Sequence, residues 1–254
     1  MPGPIVVYLH GFPGGPGELG LFGPPPDWAA AAFVPDRAAD APGLSFAQYC
    51  DDLAQRVSLR AAGRPLHLIG FSLGARVALE LALRVGGQVA RVTLISAAGP
   101  LDGTDHLCLM AGRAVFGMAA TRPRLFARMA AVQGWVGRHF PGLLRRALFG
   151  PNGEAGLDVA GFDTRTTALL QHCFAMGTTG YQREVLAYVQ PWSTLPGRIT
   201  APVTIWQGSA DGWTPPVMAE NLCRLLPQAT LHHVASAGHY GTLRHVLARG
   251  DWHG

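Results

Sequence analysis

The sequence predicts an α/β fold: a mainly parallel sheet covered by helices on both faces. Two observations point to it. Short apolar runs rich in β-branched residues recur along the chain, and most are separated by stretches of helical periodicity. A chain of 254 residues with 48% hydrophobic content is also long enough to enclose one large core.

In chain order the expected strands are Ile5–His10, Ala32–Pro35, Leu66–Gly70, Arg91–Ser96, Val203–Gln207 and Thr230–Val234. Ser45 opens a helix, with Gln48 three residues on completing a capping box and Phe46, Tyr49, Leu53 and Val57 on its inner face. Leu73–Leu83 is apolar nearly all round apart from the four-spaced stripe Arg76, Glu80 and Arg84, which predicts a helix packed between sheet and neighbours. Thr214-Pro215-Pro216 starts another helix, with proline where a missing N–H costs nothing. From about Leu101 to Leu195 no strand is legible, only helical stretches. An interval of that length is too long for a loop, so residues 101–195 are expected to form a helical cap inserted into a core of 1–100 and 196–254. Gly112, Gly117, Gly134 and Gly137 are expected to interrupt its helices as hinges.

Composition removes several function classes. All 20 positive side chains are arginine, so no lysine can form a Schiff base or a P-loop contact. Seven of them (Arg113, Arg122, Arg124, Arg128, Arg138, Arg145, Arg146) fall between 113 and 152, where there is no Asp or Glu. The net charge of +4 is therefore local, unlike the spread of a nucleic-acid-binding surface. Cys50, Cys108, Cys173 and Cys223 form no C-x-x-C pair and are expected to be reduced. No window is long and apolar enough to span a membrane. Behind Met1-Pro2-Gly3-Pro4, the run Ile5–Leu9 is too short for a signal peptide, which sets the expected location as the cytoplasm.

The chemistry concentrates in a few short segments. Gly70-Phe71-Ser72-Leu73-Gly74 matches G-x-S-x-G. With 33 Gly, chance supplies roughly 0.1 such matches per chain, so the motif alone is weak. Its setting is specific: it follows an apolar strand and opens a helix, which places the serine hydroxyl at the carboxyl end of the sheet. Gly208-Ser209-Ala210-Asp211 follows a later strand and sets a carboxylate at the same edge. Ala237-Gly238-His239-Tyr240 follows the last strand and adds an imidazole.

With His10-Gly11-Phe12-Pro13-Gly14 after the first strand, G-x-x-D-x-x-x-P over Gly208 to Pro215 and the G-H-Y tripeptide, the chain resembles the α/β-hydrolase superfamily from Ile5 to about Tyr240. The resemblance implies Ser72 as nucleophile, His239 as base and Asp211 as the acid orienting it, in that chain order. It implies an oxyanion hole from the backbone N–H groups of Phe12 and Leu73. It also implies a serine hydrolase of esters, thioesters or lactones, with no cofactor and no metal. The usual antiparallel strand pair before the HG strand is missing here, which predicts about six strands. Aspartate-nucleophile relatives (epoxide hydrolases, haloalkane dehalogenases) are excluded by Ser72. Proline iminopeptidases differ at the elbow and in their D-Q-R-G motif.

Other residues compete for these roles. Asp102, after the strand Arg91–Ser96, could serve as acid in place of Asp211. His10 is read as a structural hydrogen-bonder, Asp36-Arg37 as structural, and His67, His232 and His233 as strand residues. Trp213 and Tyr240 flank the acid and base as pocket candidates, with Arg145 and Arg146 as anchors for an anionic substrate. The expected partner is a small molecule, either anionic or presented by a carrier protein, with neither nucleic acid nor membrane. Two other functions stay open: an elimination lyase similar to that of the menaquinone pathway, and a non-catalytic receptor on the same fold.

Overall fold

A computed structural model describes residues 3–150, 154 and 157–249. Met1-Pro2, Asn152 and the end of the 196–254 segment, all used in the sequence reading, lie outside the described residues. Five strands run in chain order across one sheet: β1 (Ile5–Leu9), β2 (Leu66–Phe71), β3 (Val89–Ile95), β4 (Val203–Gly208) and β5 (Ala229–Val234). Every neighbouring pair is parallel, and the register brings Leu9 beside Gly70, Ile95 beside Trp206 and Gly208 beside Val234.

The expected strand at Ala32–Pro35 is reduced to a single parallel bridge of Phe33 to Val7, held by Tyr8 N–H to Phe33 O at 2.9 Å and Phe33 N–H to Val6 O at 2.8 Å. The alanine run before Phe33 has little preference for extended structure and forms a 3₁₀ turn over Asp27–Ala31. Pro35 has no N–H to extend the ladder. The sheet therefore has five full strands plus this bridge, against about six expected.

Alternation along the strands builds a core on each face. Val7, Leu9, Leu66, Leu68, Val92 and Leu94 join one cluster with α1 (Phe46–Ala61), α2 (Gly74–Val85) and the helix Pro216–Leu225. Tyr8, Ile69, Phe71 and Ile95 point the other way, into a cluster with Leu243 and Val246 of the last helix, His239–Ala248. The capping box on α1 forms as its sequence predicts: Ser45 Oγ accepts from Gln48 N–H at 3.4 Å, and Gln48 Oε1 accepts from Ser45 N–H at 3.1 Å.

Between β3 and β4 the described residues contain helices only: α3 (Arg113–Thr121), α4 (Pro123–His139), α5 (Pro141–Phe149), α6 (Phe162–Ala175) and α7 (Thr179–Tyr188). With these, the helices Pro216–Leu225 and His239–Ala248 become α8 and α9. Phe126, Leu144, Phe174, Tyr181 and Tyr188 of the insertion belong to the same cluster as Leu68 and Leu94, so its core is continuous with the sheet's.

Of the four glycines expected to interrupt helices, Gly112 does stand at a break, just before α3, and the other three do not. Gly134 and Gly137 lie inside an unbroken α4, and Gly117 inside α3. A Cβ on Gly134 would overlap Thr178, and one on Gly137 would overlap Phe174. These two glycines let α6 and α7 pack closely against α4 and are not joints. Among the described residues no helix is long and apolar enough to cross a membrane, and no cluster of His, Cys, Asp and Glu could hold a metal ion.

Candidate active site

The turn from β2 into α2 forces Ser72 into the left-handed region, at φ 55°. L-residues avoid that region, so the serine is held there by its surroundings. Ser72 N–H donates to Ile95 O at 3.0 Å, and Ser72 O accepts from Ala75 N–H at 3.1 Å and Ala98 N–H at 3.2 Å. The flanking glycines are steric necessities. A Cβ at Gly70 would sit 2.7 Å from the Ala75 Cα, and one at Gly74 would run into the Leu9 carbonyl.

His239 is the first residue of α9, just beyond β5, and Asp211 lies beyond β4. Because β4 and β5 are neighbours, the two ends meet: His239 Nδ1 and Asp211 Oδ2 are 2.8 Å apart, both buried. Asp211 Oδ1 also accepts Trp213 N–H and Thr214 N–H, each at 2.9 Å, and Gln207 Nε2 donates to Oδ2 at 3.4 Å. Burial alone would raise the Asp211 carboxyl, but the charge and hydrogen bond of His239, with the Thr214 N–H, hold it below the usual range. Burial likewise opposes a charged His239, and the Asp211 carboxylate outweighs it, so the imidazole lies above its ordinary value.

Asp102 is placed elsewhere. Its carboxylate accepts Trp192 N–H at 3.0 Å and Ser193 N–H at 3.1 Å, fastening the end of the helical insertion.

The loop after β1 is braced from below. Gly11 N–H donates to both oxygens of Glu18, at 3.1 and 2.9 Å, and Tyr8 Oη donates to Oε2 at 2.7 Å. Glu18 is fully buried, and desolvation pushes its carboxyl from 4.5 up to about 7. His10 Nδ1 lies 2.7 Å from its neighbour's carbonyl, Gly11 O, and Arg37 N–H donates to Nε2 at 3.3 Å. Both ring nitrogens are thus engaged, and burial drives the imidazole well below its ordinary value, so His10 is a structural neutral ring. Arg37, also fully buried, reaches Glu184 of α7 and the His10 carbonyl and lies 4.9 Å from the Phe12 ring centre. Among the described residues, no backbone group accepts from the N–H of Phe12 or of Leu73.

One small cavity, about 30 Å³, joins these parts; Phe12, Ser72, Phe149, Trp213, His239 and Tyr240 are among its walls. That volume holds about one water. A larger cavity of about 650 Å³ lies away from it, between Pro16–Gly20 and Pro25–Ala30, and includes neither Ser72 nor His239. Trp213 and Tyr240 therefore sit where the sequence placed them. Arg145 and Arg146 do not: Arg145 is buried against Asp163 at 3.0 Å and Arg146 is exposed, and neither lines the cavity. Arg145 shares the inner face of α5 with Leu144, Leu148 and Phe149 but stands one turn before the two residues that reach the cavity, and Asp163 holds its charge there, whereas Arg146 lies on the solvent side.

Sequence reasoning missed Glu18, Gln207, Thr214 and Phe149. Only Glu18 had a signal, as the lone acid in the Gly/Pro-rich stretch 11–26.

Parallel strands whose carboxyl ends converge on a strained serine and a buried carboxylate–imidazole pair define a class of hydrolytic enzymes. The alpha/beta hydrolase fold family matches residues 4–246, and the chain belongs to it. No curated protein matches the chain. Solved structures similar to it include an esterase from Rhodococcus sp. ECU1013 (18% identity, 97% of this chain and 90% of that one, TM-score 0.61). A bromoperoxidase from Bacillus anthracis is similar at 14% identity, 96% and 88% coverage and TM-score 0.65. A thermophilic esterase from Thermogutta terrifontis is similar at 19% identity, 96% and 86% coverage and TM-score 0.57.

Proposed function

We propose that the protein is a serine hydrolase that cleaves a carboxylic ester, thioester or lactone of a small molecule through an acyl-enzyme. The observation that carries this reading is the buried 2.8 Å contact of Asp211 with His239, whose ring shares a cavity wall with Ser72. In this reading His239 takes the Ser72 proton as Oγ attacks the carbonyl carbon. The tetrahedral oxyanion is held by the free N–H groups of Phe12 and Leu73, each such donor typically worth about 3 kcal/mol. Collapse expels the alcohol or thiol, which receives the proton from His239. Water, activated by the same imidazole, then frees the acid.

Among the described residues no hydrogen bond joins Ser72 Oγ to His239; such contacts commonly tighten only when substrate is bound. The helices of 101–195 act as the cap, with Leu148 and Phe149 closing the cavity above Ser72. Among the described residues no arginine lines the cavity, which supports hydrolysis of an uncharged acyl group over elimination from a polycarboxylate, which would need such anchors.

The test is active-site labelling with a fluorophosphonate followed by peptide mass analysis. A single adduct on Ser72, lost in Ser72→Ala, is expected together with turnover of short acyl esters. Labelling elsewhere, or turnover within tenfold of wild type in Ser72→Ala, would discard the mechanism.

A further inference from the structure

The charge and apolar surface of the insertion meet on one helix. The outer face of α4 presents Leu125, Arg128, Val132, Trp135 and His139, which follow one another at three- and four-residue spacing and so form a single stripe. The opposite face, with Phe126, Ala130, Gly134 and Gly137, is buried in the protein. Trp135 is 57% exposed, and the stripe continues into α5 through Phe140 and Leu143, 53% and 62% exposed. Arg124, Arg128 and Arg146 are exposed, and among the described residues their side chains have no ion pair or hydrogen bond. No acidic residue occurs from 106 to 153. The neighbouring carboxylate of Asp163 is already taken by Arg145.

Contiguous exposed apolar surface of this kind marks an interaction site. What it fits is decided by the arrangement. Protein interfaces segregate an apolar centre from a polar rim. Here Arg128 stands between Leu125 and Val132 on the apolar line itself, with Arg124 beside it. A bilayer surface accepts that mixture: aromatic and aliphatic side chains sink to the headgroup level while arginines extend to the phosphates. A second copy of the chain is disfavoured, because a two-fold contact would set these arginines against their own equivalents.

We propose that the outer face of α4, with the first turn of α5, docks on an anionic phospholipid surface. α5 ends in Leu148 and Phe149 at the cavity over Ser72, so the docked face and the cavity lie on one short helix. This peripheral contact needs no membrane-spanning helix, and it replaces the small anionic partner expected for these arginines.

The test is flotation of the purified protein with vesicles of phosphatidylcholine alone and of phosphatidylcholine with an equal part of phosphatidylglycerol. Partition into the anionic vesicles is expected, weakening with salt. Arg124→Glu with Arg128→Glu should lower it at least about tenfold, since each basic side chain contributes to attraction by anionic lipid. Trp135→Ala should lower it severalfold, and both variants should keep the wild-type circular dichroism and melting temperature. Equal partition into both vesicle types, or no loss in either variant, overturns the proposal. So does a dimer in sedimentation velocity that Trp135→Ala dissolves, or binding to polyglutamate with no binding to vesicles. Since Ser72→Ala should bind as wild type does, the outcome is separate from that of the proposed chemistry.

Discussion

Asp211 Oδ2 and His239 Nδ1 lie 2.8 Å apart although 28 residues separate them in the chain. The contact exists because β4 and β5 are adjacent and parallel, so both residues leave the sheet at the same edge. Each side chain is shifted by the other toward its charged form, the carboxyl downward and the imidazole upward.

The pH profile should record that pair. General base catalysis requires a neutral imidazole, so kcat/KM should rise with pH through an apparent pKa above the ordinary histidine value of about 6.5. In Asp211→Asn the limb should move down and kcat should fall by roughly 10⁴, as expected when the ring loses its orienting carboxylate. The sign for stability follows from the same shifts. The raised His239 contributes stability that is full below the unfolded histidine pKa and is lost as pH rises through its folded one. The depressed Asp211 contributes stability above the unfolded aspartate pKa, lost as pH falls through its own folded value. A limb at or below the ordinary histidine value would contradict the pairing.

Ser72 stands at φ 55°, a conformation costing an L-residue about 1–2 kcal/mol that glycine adopts freely. Ser72→Ala keeps that cost and should melt like wild type, whereas Ser72→Gly should melt higher, both being inactive. A Ser72→Gly protein that melts below Ser72→Ala would show that the turn is unstrained.

Glu18 should make stability fall with pH. Its carboxyl is raised from 4.5 to about 7, so its contribution is complete below the unfolded value and is lost as pH rises through about 7. Glu18→Gln keeps an oxygen for Gly11 N–H and removes the ionisation, so its melting temperature should stay flatter than wild type from pH 5 to 8. Parallel melting curves for the two proteins across that range would leave Glu18 without this role.

Phe149 is wedged against Trp213 and Tyr240, at ring-centre separations of 6.2 and 5.4 Å, and walls the cavity over Ser72. Phe149→Ala should open that cavity and raise kcat/KM for bulky acyl esters relative to acetate esters. Its melting temperature should change modestly, because the ring is only half-buried. Unchanged selectivity across an acyl-length series would place access elsewhere.

Helix and strand positions were legible because local sequence decides them. The capping box at Ser45, the proline start before α8 and the apolar runs of β1 to β5 each have a short-range cause. Ser72, Asp211 and His239 were legible as a set because each follows a strand within a few residues, and parallel strands send all their carboxyl ends to one edge. The failures share the opposite character. Arg145 looked like a substrate anchor by charge, but Asp163 from the next helix claims it. Gly134 and Gly137 looked like hinges by type, but Thr178 and Phe174 pack where their Cβ atoms would be. Ala32–Pro35 looked like a strand, yet only Phe33 pairs.

The sequence by itself determined the order of elements, the place of the serine turn and the edge of the sheet where the chemistry gathers, since each is marked by a short motif next to a strand. Only the tertiary structure decided that Asp211 and not Asp102 meets His239, that Glu18 braces Gly11, and which arginines face solvent. Those outcomes depend on strand adjacency and on packing between segments distant in the chain, which spacing along a single chain does not encode.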